Sequence, residues 1–398
     1  MSFDTIDLLD GNVFQVTWDL GRRCNYDCSY CPSHRHDNFS SHASLEELKN
    51  SAEFVFEYID IYMQHRYYKF ASIGFTGGEP TVNPNFIEFV KYFKQLYNEK
   101  YKDRYECSFA LTSNGAMSKK MADNVIEHFN HITVSYHAEA DKKLKTQVVD
   151  RIRQFSKYGP EKGCSVSTNV MFHAEYFDEC VQLCQQLDQE GIKYVPRVIG
   201  EEPDSKPTFA HKYSPEQLQW MKDYWNKNTK KVNGEDVKKE NKVEETKEKE
   251  LGLKIGRPCC GSRTMCLSDN GEERKSKFVD FREFQSWHCS VNWFFMHIEQ
   301  QTDQVFHHQT CQARFDQTRG PIGKLSEGYK ILDSLKQHFA NKTMPTIICP
   351  KHTCGCGLCA PKSKFEDKYK QVIYNHVDSS IFENAVNNNK KLISIIPI

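Results

Sequence analysis

No apolar run in this sequence approaches the ~18 residues that a membrane-spanning helix requires. Neither sign of charge is in excess: Lys+Arg and Asp+Glu each number 53, giving a formal net charge of zero and a pI near 7.2. The first absence argues against a membrane protein. The second argues against a polycation that coats nucleic acid or anionic lipid. The start, Met1 to Phe14, has no basic region, no long apolar stretch and no small-residue cleavage site, so no secretory signal is expected. Hydrophobic residues make up only 38% of the 398, and mean hydropathy is -0.69. At roughly 100–200 residues per domain, a soluble cytoplasmic protein of two or three domains is expected. No internal repeat is visible at solenoid periods.

What the chain does have is cysteine in clusters. Of its 16 cysteines, three fall within Cys24–Cys31 and four within Cys349–Cys359. In a chain without an export signal, such groups read as metal ligands before they read as disulfides.

From residue 12 to about 200, short apolar strands alternate with amphipathic helices. Strands are expected at Val13–Trp18, Phe70–Phe75, Cys107–Leu111, Ile132–Tyr136, Val166–Phe172 and Lys193–Ile199. Ser44 and Glu47 form a capping box, Asn83 before Pro84 suits a helix start, and Gly191 suits a left-handed helix end. Phe86, Phe89, Val90, Phe93 and Tyr97 give one buried helical stripe, and Leu144, Val148, Ile152 and Phe155 give another. Strand–helix repetition implies parallel strands joined by right-handed crossovers. Six units leave a partial barrel or an open sheet, and periodicity does not choose.

After Gly200 the pattern changes. Ser214 to Gln217 starts a helix, and residues 227–250 are almost wholly charged or polar, as in a solvated linker. Residues 256–361 hold nine of the sixteen cysteines. A hairpin is expected from Phe294–Glu299 and Gln304–His308, and a short helix over Gly328–Phe339. The division expected is 1–210, 211–255, 256–361 and a tail at 362–398.

Cys24, Cys28 and Cys31 are spaced C-x3-C-x2-C directly after the first strand. Three thiolates on one tight loop suit three corners of an iron–sulfur cube and leave one iron open. Zinc, which prefers four ligands in a structural site, would need His34 or His36 as the fourth. The motif C-x3-C-x-aromatic-C at the end of a first βα-barrel strand resembles the radical S-adenosylmethionine (radical SAM) superfamily. The resemblance implies a 4Fe–4S cluster whose open iron is chelated by the amino and carboxylate groups of SAM, with Tyr30 beside the adenine. Gly77, Gly78, Glu79 and Pro80 match the family's GGEP-like segment after the second strand, where backbone and Glu79 would meet the SAM ammonium. Glycines there let the chain approach a ligand closely. Ser113 and Asn114 at the third strand, Ser135 in the fourth, Asn169 in the fifth and Arg197 in the sixth occupy positions implied to serve the SAM carboxylate and ribose. The fold implied for residues 12–200 is α/β, a partial (β/α)6 barrel of the radical SAM type.

The order downstream resembles the SPASM/twitch extension, a smaller Cys-rich α+β domain carrying one or two auxiliary iron–sulfur clusters. The full seven-cysteine spacing is absent, and Phe306 stands where a glycine is usual, so one auxiliary 4Fe–4S cluster is expected. The ligands chosen are Cys289, Cys311, Cys356 and Cys359, with Cys349 and Cys354 as alternates; zinc is the alternative metal. Cys259, Cys260 and Cys266 add ligands or pack, whereas Cys107, Cys164, Cys180 and Cys184 read as core residues.

The activity implied is reductive cleavage of SAM to a 5′-deoxyadenosyl radical that abstracts hydrogen from a peptide or protein, producing a cross-link, an epimer or an oxidised side chain. A dehydrogenase or isomerase of a small sugar, aminocyclitol or nucleotide is the alternative, and a noncatalytic metal scaffold the third class. Only about a dozen residues precede the first strand, which leaves no room for a leader-binding module and weakens the peptide reading. A reductant such as flavodoxin or ferredoxin is the implied partner. No membrane and no strong nucleic-acid signal is read.

Overall fold

The computed structural model describes residues 5–8, 13–32, 34–65, 69–200, 210–232, 264–267, 285–289, 291–308, 311, 321–341, 347–349 and 362–363. Its main body starts after a short strand β1 (Thr5–Leu8) and runs β2 (Phe14–Asp19), α1 (Leu45–Gln64), β3 (Phe70–Thr76), α2 (Phe86–Lys100) and β4 (Glu106–Ser113). It continues α3 (Lys119–His128), β5 (His131–His137), α4 (Lys142–Tyr158), β6 (Ser165–Phe172), α5 (Phe177–Gln189), β7 (Val195–Val198) and α6 (Pro215–Val232). All six strands expected from the sequence are present. They are parallel and lie in chain order, β2 to β7. A doubly wound open sheet reverses its strand order at a switch point. Sequential order with right-handed crossovers keeps every helix on one face, which makes this a partial (β/α)6 barrel.

Period-two alternation decides which face each residue takes. Phe14, Val16 and Trp18 of β2 and Ala71, Ile73 and Phe75 of β3 are at most 2% exposed and pack under the helices. Trp18 meets the rings of Phe89 and Phe93 edge-on at 5.4 and 6.0 Å, and Phe75 meets Phe93 at 5.1 Å. Burying each such side chain is worth roughly 2–3 kcal/mol relative to exposure. The opposite face keeps Thr17, Asp19, Thr76 and Ser135 half-buried at the inner side.

The helix ends follow local chemistry. Ser44 and Glu47 make the expected capping box, Ser214 pairs with Gln217 in the same way, and Gly191 adopts φ +70°. One expectation is corrected: α2 begins at Phe86 after Asn85. Asn83 instead ends a 3-10 turn, and its Oδ1 accepts from the Asn85 N–H.

The Cys-rich part contributes to the same sheet. Strand β8 (Thr264–Leu267) and β9 (His288–Cys289) precede a hairpin, β10 (Phe295–Glu299) and β11 (Gln304–Phe306), followed by β12 (Gly323–Lys324) and α7 (Gly328–Asn341). β10 pairs parallel to β2 and extends the sheet to nine strands. α7 lies on α1, where Tyr62 and Phe339 meet edge-on and the Tyr62 hydroxyl donates to the Asn292 carbonyl at 2.7 Å. Together they fill the place of a further βα unit beside β2. A second sheet orders β13 (Ile347–Ile348), β9, β14 (Lys362–Ser363), β1 and β8. Among the described residues, no helix is long and apolar enough to cross a membrane. Most of the charged stretch and nearly all of the tail lie outside the described residues.

Candidate active site

The loop that follows β2 carries Cys24, Cys28 and Cys31, and it is held from both sides. On one side, Cys24 N–H donates to the Asp37 carbonyl and Asp37 N–H to the Arg22 carbonyl, at 2.8 and 2.9 Å. On the other, the GGEP loop after β3 docks as backbone on backbone: Gly78 N–H donates to Gly21 O and Glu79 N–H to Arg23 O, at 2.8 and 2.9 Å. This contact explains the glycines. A Cβ on Gly77 (φ +129°) would stand 2.4 Å from Gly21 O, and one on Gly78 would stand 2.3 Å from Arg22 O. The close approach to the cysteine loop by itself demands glycine at both positions.

Three cysteines, Tyr30, Gly77, Gly78, Ser113, Asn114 and Ser135 line one cavity of about 370 Å³. Met171, Val198 and Ile199 contribute apolar wall. Cys24 Sγ accepts from Tyr26 N–H at 3.4 Å and lies 3.8 Å from Asn114 Nδ2. Glu79 and Pro80 do not line the cavity; both are buried behind it. Glu79 Oε1 accepts from Thr81 N–H, Thr81 Oγ1 and Ser113 Oγ, and Oε2 from Asn114 N–H at 2.7 Å. Both oxygens are occupied by protein donors, so Glu79 braces the ends of β3 and β4 against each other. Asn169 and Arg197 pair with each other, Arg197 Nε donating to Asn169 Oδ1 at 3.1 Å, outside the cavity lining.

The donor set suits an iron–sulfur cluster. Burial pushes the Cys24 thiol up to about 11, with the charges of Glu79 and Cys31 adding to the effect. Burial, then Glu139 and the two other cysteines, pushes Cys28 higher still. Thiolates set this close, Cys28 buried and Cys24 and Cys31 half-buried, repel one another and are stabilised by a positive centre, which cluster iron would provide. The Tyr26 hydroxyl, also on the cavity, is buried without a hydrogen-bond partner among the described residues.

A second layer of residues was not legible as a motif. Ser29 N–H, in the cysteine loop, donates to Glu139 Oε2 at 2.8 Å, and His173 Nε2 pairs with Glu139 Oε1 at 3.0 Å. His173 Nδ1 accepts from Glu175 N–H, so the ring is the Nε2–H tautomer donating to Glu139. Tyr30 and His137 stack, with the hydroxyl 2.6 Å from Nδ1. Burial drives His137 down to about 4, so the ring is neutral. The only sequence signal for these residues was their place at the carboxyl ends of β5 and β6.

Of the downstream cysteines, Cys289 is buried with Val291 and Ile347, and Cys311 packs against that group. Cys349 follows β13, its N–H donating to the Trp287 carbonyl at 2.8 Å. Cys354, Cys356 and Cys359 lie outside the described residues. Cys164, Cys180 and Cys184 are core residues as expected, at most 1% exposed, and Cys107 packs against the core.

Residues 18–187 match the family model of the radical SAM superfamily. Among solved structures, anSMEcpe with bound AdoMet is 13% identical, with 96% of this chain and 96% of that chain covered and a TM-score of 0.48. The same enzyme with bound AdoMet and Cp18Cys peptide gives 14%, 95% and 99%, and 0.48. HydG, a maturase of the FeFe-hydrogenase, gives 17%, 53% and 49%, and 0.31. The matched stretch opens on Trp18 of β2, takes in all three loop cysteines and the GGEP segment, and ends within α5. With those cysteines set around one cavity at the end of a six-stranded parallel barrel, residues 18–187 are a radical SAM domain.

Proposed function

We propose that this enzyme abstracts hydrogen from a peptide or protein substrate, using a 4Fe–4S cluster on Cys24, Cys28 and Cys31 with SAM in the cavity beside it. Bound there, the pair supplies one-electron cleavage of the SAM sulfur–C5′ bond and hydrogen abstraction from an unactivated carbon. The residues supply the rest. Cys24, Cys28 and Cys31 bind as thiolates, and the Tyr26 N–H on Cys24 Sγ helps to carry its charge. Glu139 and His173 fix the loop between the second and third ligands through Ser29 N–H. Gly77, Gly78, Ser113, Asn114 and Ser135 present backbone and polar side-chain atoms to the cofactor's amino acid and ribose, and Tyr30 presents its ring face. Met171 and Ile199 exclude water along the apolar wall.

The observation that carries the substrate class is the size of the cavity. About 370 Å³ is near the lower end of the ~300–1,000 Å³ that drug-sized ligands occupy. Cluster and SAM would take up much of that space, which favours a reacting carbon presented from outside, as an extended chain can do. Exposed Val198 lies on that rim, at 52% exposure. A flavodoxin- or ferredoxin-like reductant belongs to the same reading. So do the division at residues 210, 255 and 361 and an auxiliary 4Fe–4S cluster held by Cys289, Cys311, Cys356 and Cys359.

The test is anaerobic reconstitution followed by strong reductant and SAM. 5′-Deoxyadenosine and methionine should appear, and replacing the three loop cysteines by Ala should remove about four irons per chain. That triple variant should stay brown and reducible; a colourless variant with one zinc would exchange the auxiliary cluster for a zinc site. Deuterium transfer from labelled peptide libraries into 5′-deoxyadenosine assigns the substrate. Transfer from sugars or nucleotides instead would overturn the peptide assignment.

A further inference from the structure

Two strands that no motif links bring a second set of metal-binding side chains together. His297 and Glu299 are two apart in β10 and therefore share a face. Glu299 is registered against Asp19 in the parallel pair with β2, so Asp19 leaves the sheet on the same side. His297 Nε2 lies 3.3 Å from Glu299 Oε1 and 3.6 Å from Asp19 Oδ2. The three donor atoms all lie within 4.8 Å of one another. Charge-assisted N–H···O bonds close to ~2.7–2.9 Å. Donors sharing one ion at bonds of ~2.0–2.2 Å stand about 3–3.6 Å apart, the spacing that His297 Nε2 keeps from each carboxylate.

The rest of the site points inward. His297 is 0% exposed, and its Nδ1 has no hydrogen-bond partner among the described residues. Among the described residues, Nε2 makes the ring's polar contacts, with the two carboxylates. Glu299 Oε2 accepts from Thr302 Oγ1 at 2.9 Å, which turns Oε1 toward His297, as a supporting hydrogen bond does for a metal ligand. A cavity of about 20 Å³ adjoins all three residues and shares Arg35 with the cysteine cavity. That holds about one ligand-sized water. Arg22, on the same small cavity, is engaged with Asp37 at 3.5 Å, and His34 and Arg35 also line it.

We propose that Asp19, His297 and Glu299 bind one divalent first-row cation with an open coordination position toward the small cavity. One imidazole and two carboxylates form a hard-to-borderline donor set, suited to Mn²⁺ or Zn²⁺, and the two carboxylates balance the charge. The ion ties β10 to the end of β2, ahead of the cysteine loop. The site does not depend on the substrate reading.

The experiment titrates Mn²⁺ into the reconstituted full-length enzyme and follows the free-ion EPR signal. Mn²⁺ avoids the thiolates that would capture zinc. One equivalent should bind, and unfolding should move to higher temperature. Glu299→Gln should weaken binding at least tenfold, and His297→Gln should abolish it. Because His297 is fully buried, the partly exposed Glu299 carries the test, with 4Fe–4S absorption confirming an intact fold. No stoichiometric binding at millimolar Mn²⁺, or unchanged binding in Glu299→Gln, overturns the proposal.

Discussion

Replacing Glu79 by Gln tests how the GGEP segment works. The carboxylate is 3% exposed and receives four hydrogen bonds, from Thr81 N–H (3.1 Å), Thr81 Oγ1 (2.6 Å), Ser113 Oγ (2.9 Å) and Asn114 N–H (2.7 Å). Gln keeps the volume and turns one acceptor oxygen into a donor. With the amide nitrogen facing Asn114, N–H meets N–H and one charge-assisted bond worth about 1.5–3 kcal/mol is lost. The three remaining bonds weaken because their acceptor is now neutral. A loss of about 3 kcal/mol is expected for Glu79→Gln, and about 3–5 kcal/mol for Glu79→Ala, which strands all four donors. Urea unfolding of the iron-free chain measures the loss, and calorimetry of the reconstituted enzyme measures SAM affinity. Both should fall together, since the carboxylate acts by holding Ser113 and Asn114 in place. Burial pushes the Glu79 carboxyl up against the pull of its four donors. A loss under about 0.5 kcal/mol would therefore mean that the group is protonated and that Gln mimics it. A large fall in SAM affinity at unchanged stability would mean that the carboxylate touches SAM directly, refuting the bracing role.

Gly78→Ala puts a Cβ 2.3 Å from Arg22 O and 2.5 Å from Arg23 O; stability should fall by about 1–3 kcal/mol, and iron analysis should show poor cluster uptake. Gly163→Ala is the control, since its φ of +72° has open space around it; a cost of about 1–2 kcal/mol is expected, with iron unchanged. His137, driven down to about 4 by burial, stays neutral in the folded cofactor-free chain while the unfolded chain takes up a proton near pH 6.5. Its stabilisation is present above pH 6.5 and disappears as pH falls toward 4, about 3 kcal/mol in all. Unfolding free energies measured across that window should flatten in His137→Gln. Tyr30→Phe deletes the 2.6 Å contact with His137 Nδ1 but keeps the ring, so about 0.5–1.5 kcal/mol should be lost with SAM affinity nearly intact; a tenfold weaker affinity would assign the hydroxyl to the cofactor.

The sequence by itself determined whatever is local. Three cysteines within eight positions must share a loop, and period-two alternation of Phe14, Val16 and Trp18 sends one face of β2 to the helices. Ser44 and Glu47 cap their helix because four residues contain the whole device. The helix start misplaced at Asn83 was decided by a side chain taking up the Asn85 N–H, a choice between two local bonds that spacing cannot rank. Only the tertiary structure decided what depends on register between distant segments. Parallel pairing of β10 with β2 places Glu299 opposite Asp19, 280 residues away. Docking of Gly77 and Gly78 on Gly21–Arg23 explains glycines whose need the motif alone attributed to a ligand. Glu79 reads as a ligand-facing carboxylate in the motif, and in the fold its oxygens accept from Thr81, Ser113 and Asn114. The physical reason is common to all three: side-chain direction and backbone proximity across strands are set by pairing register, and register depends on which surfaces the whole core buries.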